Sequence, residues 1–295
     1  MFNFGEHQDF CFRTLAIMSL VVVSCSLVEP VPEDRFTFCT ADVGQGLSQF
    51  GIRNGKAVVW DMGPGNKYSQ WQNAYISLGR PSVEIVFISH SDEDHLGGLS
   101  GLDADFDWSG RLVTSPFEDT AKIRSRSGEW SENIRFEFCF QNDTLRLLDS
   151  VLIICLWPPE EIGVPLPLDG ADRNRYSLVF MVEHGADRVL ITSDIDSWAQ
   201  RRIAKEYTNS LSAQVMIAPH HGSAGSVYST FFGYVAPSLA VFSCGEDNPY
   251  GHPSEEMMNQ FLLQGIDMLF TFVQGNVVLE SNGYYWGRGN AGMGE

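Results

Sequence analysis

The stretch Val83-Glu84-Ile85-Val86-Phe87-Ile88-Ser89-His90-Ser91-Asp92-Glu93-Asp94-His95-Leu96-Gly97-Gly98-Leu99 decides the fold. Its first half is a short apolar run rich in β-branched residues, which reads as a strand. The run ends in a cluster offering His90, Asp92, Asp94 and His95 within six residues. Residues 90 and 92 share one side of an extended chain, and Asp94 and His95 follow once the chain turns. Four nitrogen and oxygen donors so close together suit two neighbouring divalent metals: imidazole suits zinc and iron, and carboxylates also suit manganese. A solvated acidic loop is the plainer reading. It does not explain why a strand should aim at the cluster, or why Gly97-Gly98 follows it and permits close backbone approach.

Outward from the cluster, apolar runs alternate with glycine-rich turns. FTFCTADVGQG from Phe36 and KAVVWDMGPG from Lys56 precede it as strands, with a helix expected within Asn66 to Arg80. FEFCF and TLRLLD, in the charged stretch Asp103 to Asp149, read as edge strands. A second strand series follows: VLIICLWPP, YSLVFMVEHG, RVLITSDID, AQVMIAPHHG and LAVFSCG. Helices are expected from Ser197 to about Tyr207, near Tyr228 to Val235, and from Ser254 to Gln264, the last capped by Ser254 with Glu255 and Glu256 in its first turn. MLFTFV and NVVLES read as two closing strands around a turn at Gly275-Asn276. Strand-rich halves with helices between them predict an α/β fold, a four-layer αβ/βα sandwich. The domain is expected over 36–285, with 286–295 a flexible tail, and the cluster falls where α/β proteins place ligands, at the C-terminal end of a strand.

Of the seven histidines, His90, His95, His220, His221 and His252 fall next to strand ends. His184, in EHG, reads as a surface turn. Each histidine alone is weak evidence, and their company is what carries weight. Gly44-Gln45-Gly46 and Gly63-Pro64-Gly65 do not continue as nucleotide-binding fingerprints and read as turns. Ser223 lacks a G-x-S-x-G elbow.

The order DVGQG, VWDMG, ISHSDEDHLGGL, NRYSLVF, LITSDI, APHHGS and YGHP resembles the metallo-β-lactamase domain of ComEC-type competence proteins, over nearly all of residues 36 to 283. The resemblance implies two divalent ions, zinc or manganese, with His90 and Asp92 on one and Asp94 and His95 on the other. It implies that Asp194 bridges them, that His220 completes the first site and His252 the second, and that Asp61 supports the centre by hydrogen bonds. It leaves open which of His220 and His221 ligates. Leu47, Tyr176 and Ser193 depart from the family's pattern, which bears on substrate contacts rather than on the ligands. The implied activity is hydrolysis by a metal-bridging hydroxide. Asp94 and His221 are the candidates for direct catalytic roles, with His221 or a water protonating the leaving group. The implied substrates are phosphodiesters, single-stranded DNA included. A lactone, a thioester or an envelope phosphoester is the alternative within enzymes, and an idle metal-binding envelope lipoprotein the alternative outside them.

The formal charge of −18 disfavours nucleic acid at long range, although bound cations invert the sign locally. Six cysteines without C-x-x-C spacing indicate neither a zinc knuckle nor a disulfide framework. Leu15 to Val23, ending at Ser24-Cys25, has the length of a secretory core and resembles a lipobox. Residues 1–35 are therefore expected to be an export signal and tether, membrane-attached through a lipidated Cys25, in an exported envelope protein with no multi-helix membrane domain. An apolar N-terminal element packed on a cytoplasmic domain is the alternative.

Overall fold

The computed structural model describes residues 35–103, 106–163, 168 and 170–289. The expected export signal, including Cys25, lies outside the described residues.

Two sheets form the frame. One comprises β1 (Phe36–Thr40), β2 (Gln49–Arg53), β3 (Lys56–Trp60), β4 (Ser82–Ile88), β5 (Arg111–Thr114), β6 (Arg135–Phe138), β14 (Val277–Ser281) and β15 (Trp286–Arg288), in the order β15-β14-β1-β2-β3-β4-β5-β6. The other comprises β7 (Thr144–Leu147), β8 (Val151–Trp157), β9 (Val179–His184), β10 (Asp187–Ile191), β11 (Val215–Ile217), β12 (Leu239–Phe242) and β13 (Asp267–Phe270), in the order β13-β12-β11-β10-β9-β8-β7. The runs around FEFCF and TLRLLD lie at sheet edges, as β6 and β7.

The strands read as continuous apolar runs because both faces of each sheet are covered. Along β3, Val58 and Trp60 enter the core between the sheets, while Ala57 and Val59 face the outer core with Trp71, Ala74 and Tyr75 of α1 (Tyr68–Ser77). Along β9, Phe180 and Val182 face inward, whereas Val179 and Met181 join α5 (Ser197–Tyr207), α6 (Ser229–Val235) and α7 (Glu255–Leu263) in a third cluster. Sheet faces sheet, with helices outside both, which is the expected four-layer sandwich. Short helices α2 (Glu93–Leu96), α3 (Thr120–Ser125), α4 (Gly170–Arg175) and α8 (Thr271–Gln274) sit in the connections.

Three expectations are corrected. MLFTFV and NVVLES do not pair: α8 interrupts the run at buried Thr271, and β13 and β14 belong to different sheets. His184 is buried, its Nδ1 2.8 Å from Ser281 Oγ, so its strand end is packed rather than solvated. Trp286–Arg288, assigned to the tail, pairs antiparallel with β14.

Strands β3, β4 and β5 run parallel, as do β10, β11, β12 and β13. Their C-terminal ends carry the loops that hold the candidate site.

Candidate metal centre

The chain leaves β4 at Ile88, and His90 to His95 follow as a loop and one turn of α2. Its backbone is clamped by the neighbouring loops: Leu47 N donates to Asp94 O at 3.1 Å, Met62 N to His95 O at 2.6 Å, and Gly98 N to Gly63 O at 2.9 Å. This approach explains the glycine. A Cβ on Gly98 would lie 2.1 Å from the Met62 carbonyl oxygen.

Asp194 follows β10, and His220 and His221 follow β11. Ser193 (φ +46°), His220 (φ +49°) and His221 (φ +55°) all occupy the left-handed region. Such backbone is uncommon for residues with a Cβ and marks a turn imposed by its surroundings. Ser193 O accepts from His220 N at 2.9 Å, tying the two loops together.

The two oxygens of Asp194 face different partners. Oδ1 is 3.2 Å from His95 Nε2 and 3.6 Å from His221 Nε2, and His221 Nε2 is 3.3 Å from Asp94 Oδ2. Oδ2 is 3.5 Å from His220 Nε2 and 4.0 Å from His90 Nε2, which is 3.7 Å from Asp92 Oδ2. Asp94, His95, Asp194 and His221 bring one donor atom each within 4.8 Å of one another. His252 lies outside this tight group, its ring centroid 6.3 Å from that of His221 and 5.7 Å from that of His220.

Hydrogen bonds fix which ring nitrogen points inward. Ser243 O, which can only accept, lies 2.8 Å from His221 Nδ1, so that nitrogen carries the proton. Asp61 Oδ2 lies 2.7 Å from His95 Nδ1. Ser89 gives its own proton to Asp61 Oδ2 and lies 3.0 Å from His90 Nδ1. In each neutral ring Nε2 is then a lone pair directed at the centre. With the rings neutral, His90 Nε2, His95 Nε2, His221 Nε2 and Asp194 Oδ1 are buried acceptors with no donor among them. Four orphaned polar atoms on one point would be costly unless a cation satisfies them. The donor set therefore fits divalent metal.

A family model described as the metallo-beta-lactamase superfamily matches residues 43–245, more than half of the chain. This chain belongs to the metallo-β-lactamase superfamily. Among curated relatives, Competence protein ComA of Neisseria gonorrhoeae is 27% identical over 269 residues, covering 89% of this chain and 35% of that protein. The chain thus spans about a third of the length of the curated relatives it matches. Among solved structures, Tm1679, a metal-dependent hydrolase of the beta-lactamase superfamily, aligns with a TM-score of 0.55 at 14% identity, covering 83% of this chain and 99% of that one. A diphosphatase from the PhnP family aligns with a TM-score of 0.53 at 13% identity, covering 84% and 97%. At these identities the structures show the shared fold. Among the described residues, no helix is long and apolar enough to cross a membrane.

The electrostatics of this metallo-β-lactamase centre follow from its crowding. Burial opposes charge on His95 and His221. Asp194, with Asp61 at His95 and Asp94 at His221, outweighs it and raises both rings above the ordinary histidine value. Burial also opposes ionisation of Asp94 and Asp194, yet the surrounding histidines hold both carboxyls below the ordinary range. Burial and the neighbouring His95 push His90 down to about 4, and burial with His221 does the same to His252. An ion entering the centre would therefore displace protons from His95 and His221.

Sequence reasoning missed four contributors. Arg173 on α4 pairs with Asp92 Oδ1. The Asn174 amide lies 3.3 Å from His220 Nε2. Buried Glu118 accepts from Ser91 N at 2.9 Å, and burial raises its carboxyl to about 7. Gln45 Nε2 lies 3.3 Å from His252 Nδ1. Gln45 and Asn174 stand inside the DVGQG and NRYSLVF segments, so the segments were visible and the individual roles were not.

Proposed function

We propose that this chain is a binuclear metal-dependent hydrolase of phosphodiesters. The observation that supports it most is Asp194, whose two oxygens divide between two sets of donors. One set is His90, Asp92 and His220, and the other is Asp94, His95 and His221, with Asp194 common to both. Two divalent ions so held would supply a nucleophile from water near neutral pH and an electrophile for a phosphoryl oxygen. Three carboxylates and one hydroxide would offset two dications, so the centre would be about neutral and would not repel an anionic ester although the chain carries −18. Asp61, Ser89 and Ser243 keep the three buried rings in the orientation the ions require.

With His221 Nε2 among the donors to an ion, the proton-donor role expected of His221 or a water falls in this reading to the water, and His252 takes a positioning role. Gln45 Oε1 is tied to Gly245 N at 3.4 Å, which turns the Gln45 amide NH toward His252 Nδ1. Neutral His252 then carries its one proton at Nε2, from which it would hydrogen-bond an oxygen of the substrate without giving the proton up. The Leu15–Cys25 segment is proposed to carry the enzyme to the bacterial envelope, and intact mass of native protein tests its processing.

The deciding experiment combines metal analysis with turnover of bis(p-nitrophenyl) phosphate. The expected result is about two divalent ions per chain and chelator-sensitive hydrolysis. Two ions with no activity on any phosphodiester would overturn the substrate class, and failure to bind any transition ion would overturn the centre.

A further inference from the structure

Asn174 stands on α4 between Arg173, which holds Asp92, and Arg175, which pairs with Asp196. One arm of its amide lies 3.3 Å from Asp92 Oδ2 and 3.1 Å from Gly170 O. An ionised carboxylate and a carbonyl can only accept, so the hydrogen bonds assign Nδ2 to that arm. The other arm, 3.5 Å from Asp194 Oδ2 and 3.3 Å from His220 Nε2, is then the carbonyl oxygen.

The plainer reading is that the amide only steadies Asp92 through its N–H. That accounts for one arm and leaves the other set against Asp194 Oδ2, a second acceptor. A proton on His220 Nε2 would serve both oxygens, but it would also take His220 out of the ligand set. With His220 Nε2 as a lone pair, which ligation requires, the amide oxygen, Asp194 Oδ2 and the ring nitrogen are all acceptors. His90 Nε2, 4.0 Å from Asp194 Oδ2, adds another. A cation among them satisfies all of these atoms at once.

We propose that Asn174 Oδ1 is a further ligand of the ion held by His90, Asp92, Asp194 and His220. This rests on the binuclear reading above and deepens it. Without Asn174 the two donor sets are alike, each offering two imidazole nitrogens and two carboxylates, with Asp194 shared. The amide adds a third oxygen to one set alone, and it does so without adding charge. Carbonyl and carboxylate oxygens suit manganese, whereas four donors with two imidazoles suit tetrahedral zinc. The Asn174 side of the centre therefore favours manganese more than the side of Asp94, His95 and His221 does.

The test is calorimetric titration of the metal-free full chain with manganese(II) and, separately, with zinc, for wild type, Asn174→Ala and Asn174→Asp. Asn174→Ala should weaken one of the two sites by no less than the roughly 10- to 100-fold typical of a supporting partner, more for manganese than for zinc, while the other site stays within about twofold. Asn174→Asp keeps an oxygen toward the ion and adds a charge, so it should bind that ion at least as tightly as wild type. If the amide acted through its N–H alone, Asn174→Asp would lose the donor as Asn174→Ala does and would set a carboxylate against Asp92 Oδ2 and Gly170 O. Binding by Asn174→Asp no tighter than by Asn174→Ala therefore overturns the ligand role. Two sites left unchanged in Asn174→Ala, or both weakened alike, overturn it as well and leave the binuclear reading standing. Wild type that takes up fewer than two ions overturns the binuclear reading and the added ligand with it.

Discussion

Asp61 Oδ2 lies 2.7 Å from Nδ1 of His95, and the opposite nitrogen of the same ring lies 3.2 Å from Asp194 Oδ1. The aspartate thus orients a ring whose working atom faces away from it. Asp61 is itself buried, with φ +57°, and accepts from both Ser89 N and Ser89 Oγ. In Asp61→Asn one acceptor becomes a donor facing the His95 and Ser89 protons. Loss of such a supporting partner typically costs about 10- to 100-fold in metal affinity. Competition titration of zinc against a chelator should show a loss in that range with far-UV circular dichroism unchanged. Unaltered affinity would mean that Asp61 serves the fold alone.

The close packing of the α2 loop gives a paired stability prediction. In Gly98→Ala the new methyl meets the Met62 carbonyl at 2.1 Å, a backbone atom that cannot swing aside. Urea unfolding should show a loss of roughly 1–3 kcal/mol, the usual cost of overpacking, together with weaker metal binding because the loop carries Asp94 and His95. Gly233 lies exposed inside α6, with nothing within 4 Å of the position a Cβ would take. Gly233→Ala should therefore stabilise by about 0.5–1 kcal/mol through helix propensity. Equal effects from the two substitutions would contradict the packing described for Gly98.

What the sequence disclosed follows from the range of the interactions involved. Helix α5 matches its expected span, and α7 begins at the expected cap, where Ser254 Oγ accepts from Met257 N at 3.2 Å. Both signals lie within a few residues. His90 to His95 were legible because all four donors share one strand end. The separation of β13 from β14 was not, because a hairpin and a crossing between sheets present the same apolar runs around the same Gly275 turn. The burial of His184 was hidden likewise, since its partner Ser281 is 97 residues away. Glu118 gave no signal at all, since its carboxyl meets Ser91 N only after β5 has been laid beside β4.

Glu118 also sets a pH dependence. Burial raises its carboxyl from 4.5 to about 7, against the opposing Ser91 hydrogen bond. An acid whose value is higher folded than unfolded contributes stability that is complete below the unfolded value and is lost as pH rises through the folded one. The window is therefore about 4.5 to 7. Glu118→Gln keeps an oxygen for Ser91 N but never ionises. Relative to wild type it should gain stability between pH 5 and pH 8, by an amount of order 3 kcal/mol at most. Urea midpoints at the two pH values measure this, and a difference that does not change with pH would show that Glu118 is ionised throughout.

Asp194 and Glu93 separate metal ligation from simple negative charge. Asp194 is buried between the two histidine pairs, whereas Glu93, in the same acidic neighbourhood, turns outward to Arg126 at 3.0 Å and is half exposed. Asp194→Ala removes the group that faces both donor sets, so both ions should bind more weakly and phosphodiester turnover should fall by more than the roughly 10- to 100-fold expected for a supporting partner. Glu93→Ala removes the same formal charge from the chain, breaks only a surface ion pair worth about 0–1 kcal/mol, and should keep metal content and most activity. Because the proposed substrate is an anion, deleting a nearby carboxylate without ligand character would be expected to help rather than harm its approach. Metal analysis and bis(p-nitrophenyl) phosphate kinetics on both variants decide the matter. If the two behave alike in ion content and in turnover, Asp194 is not the residue that joins the two halves of the centre.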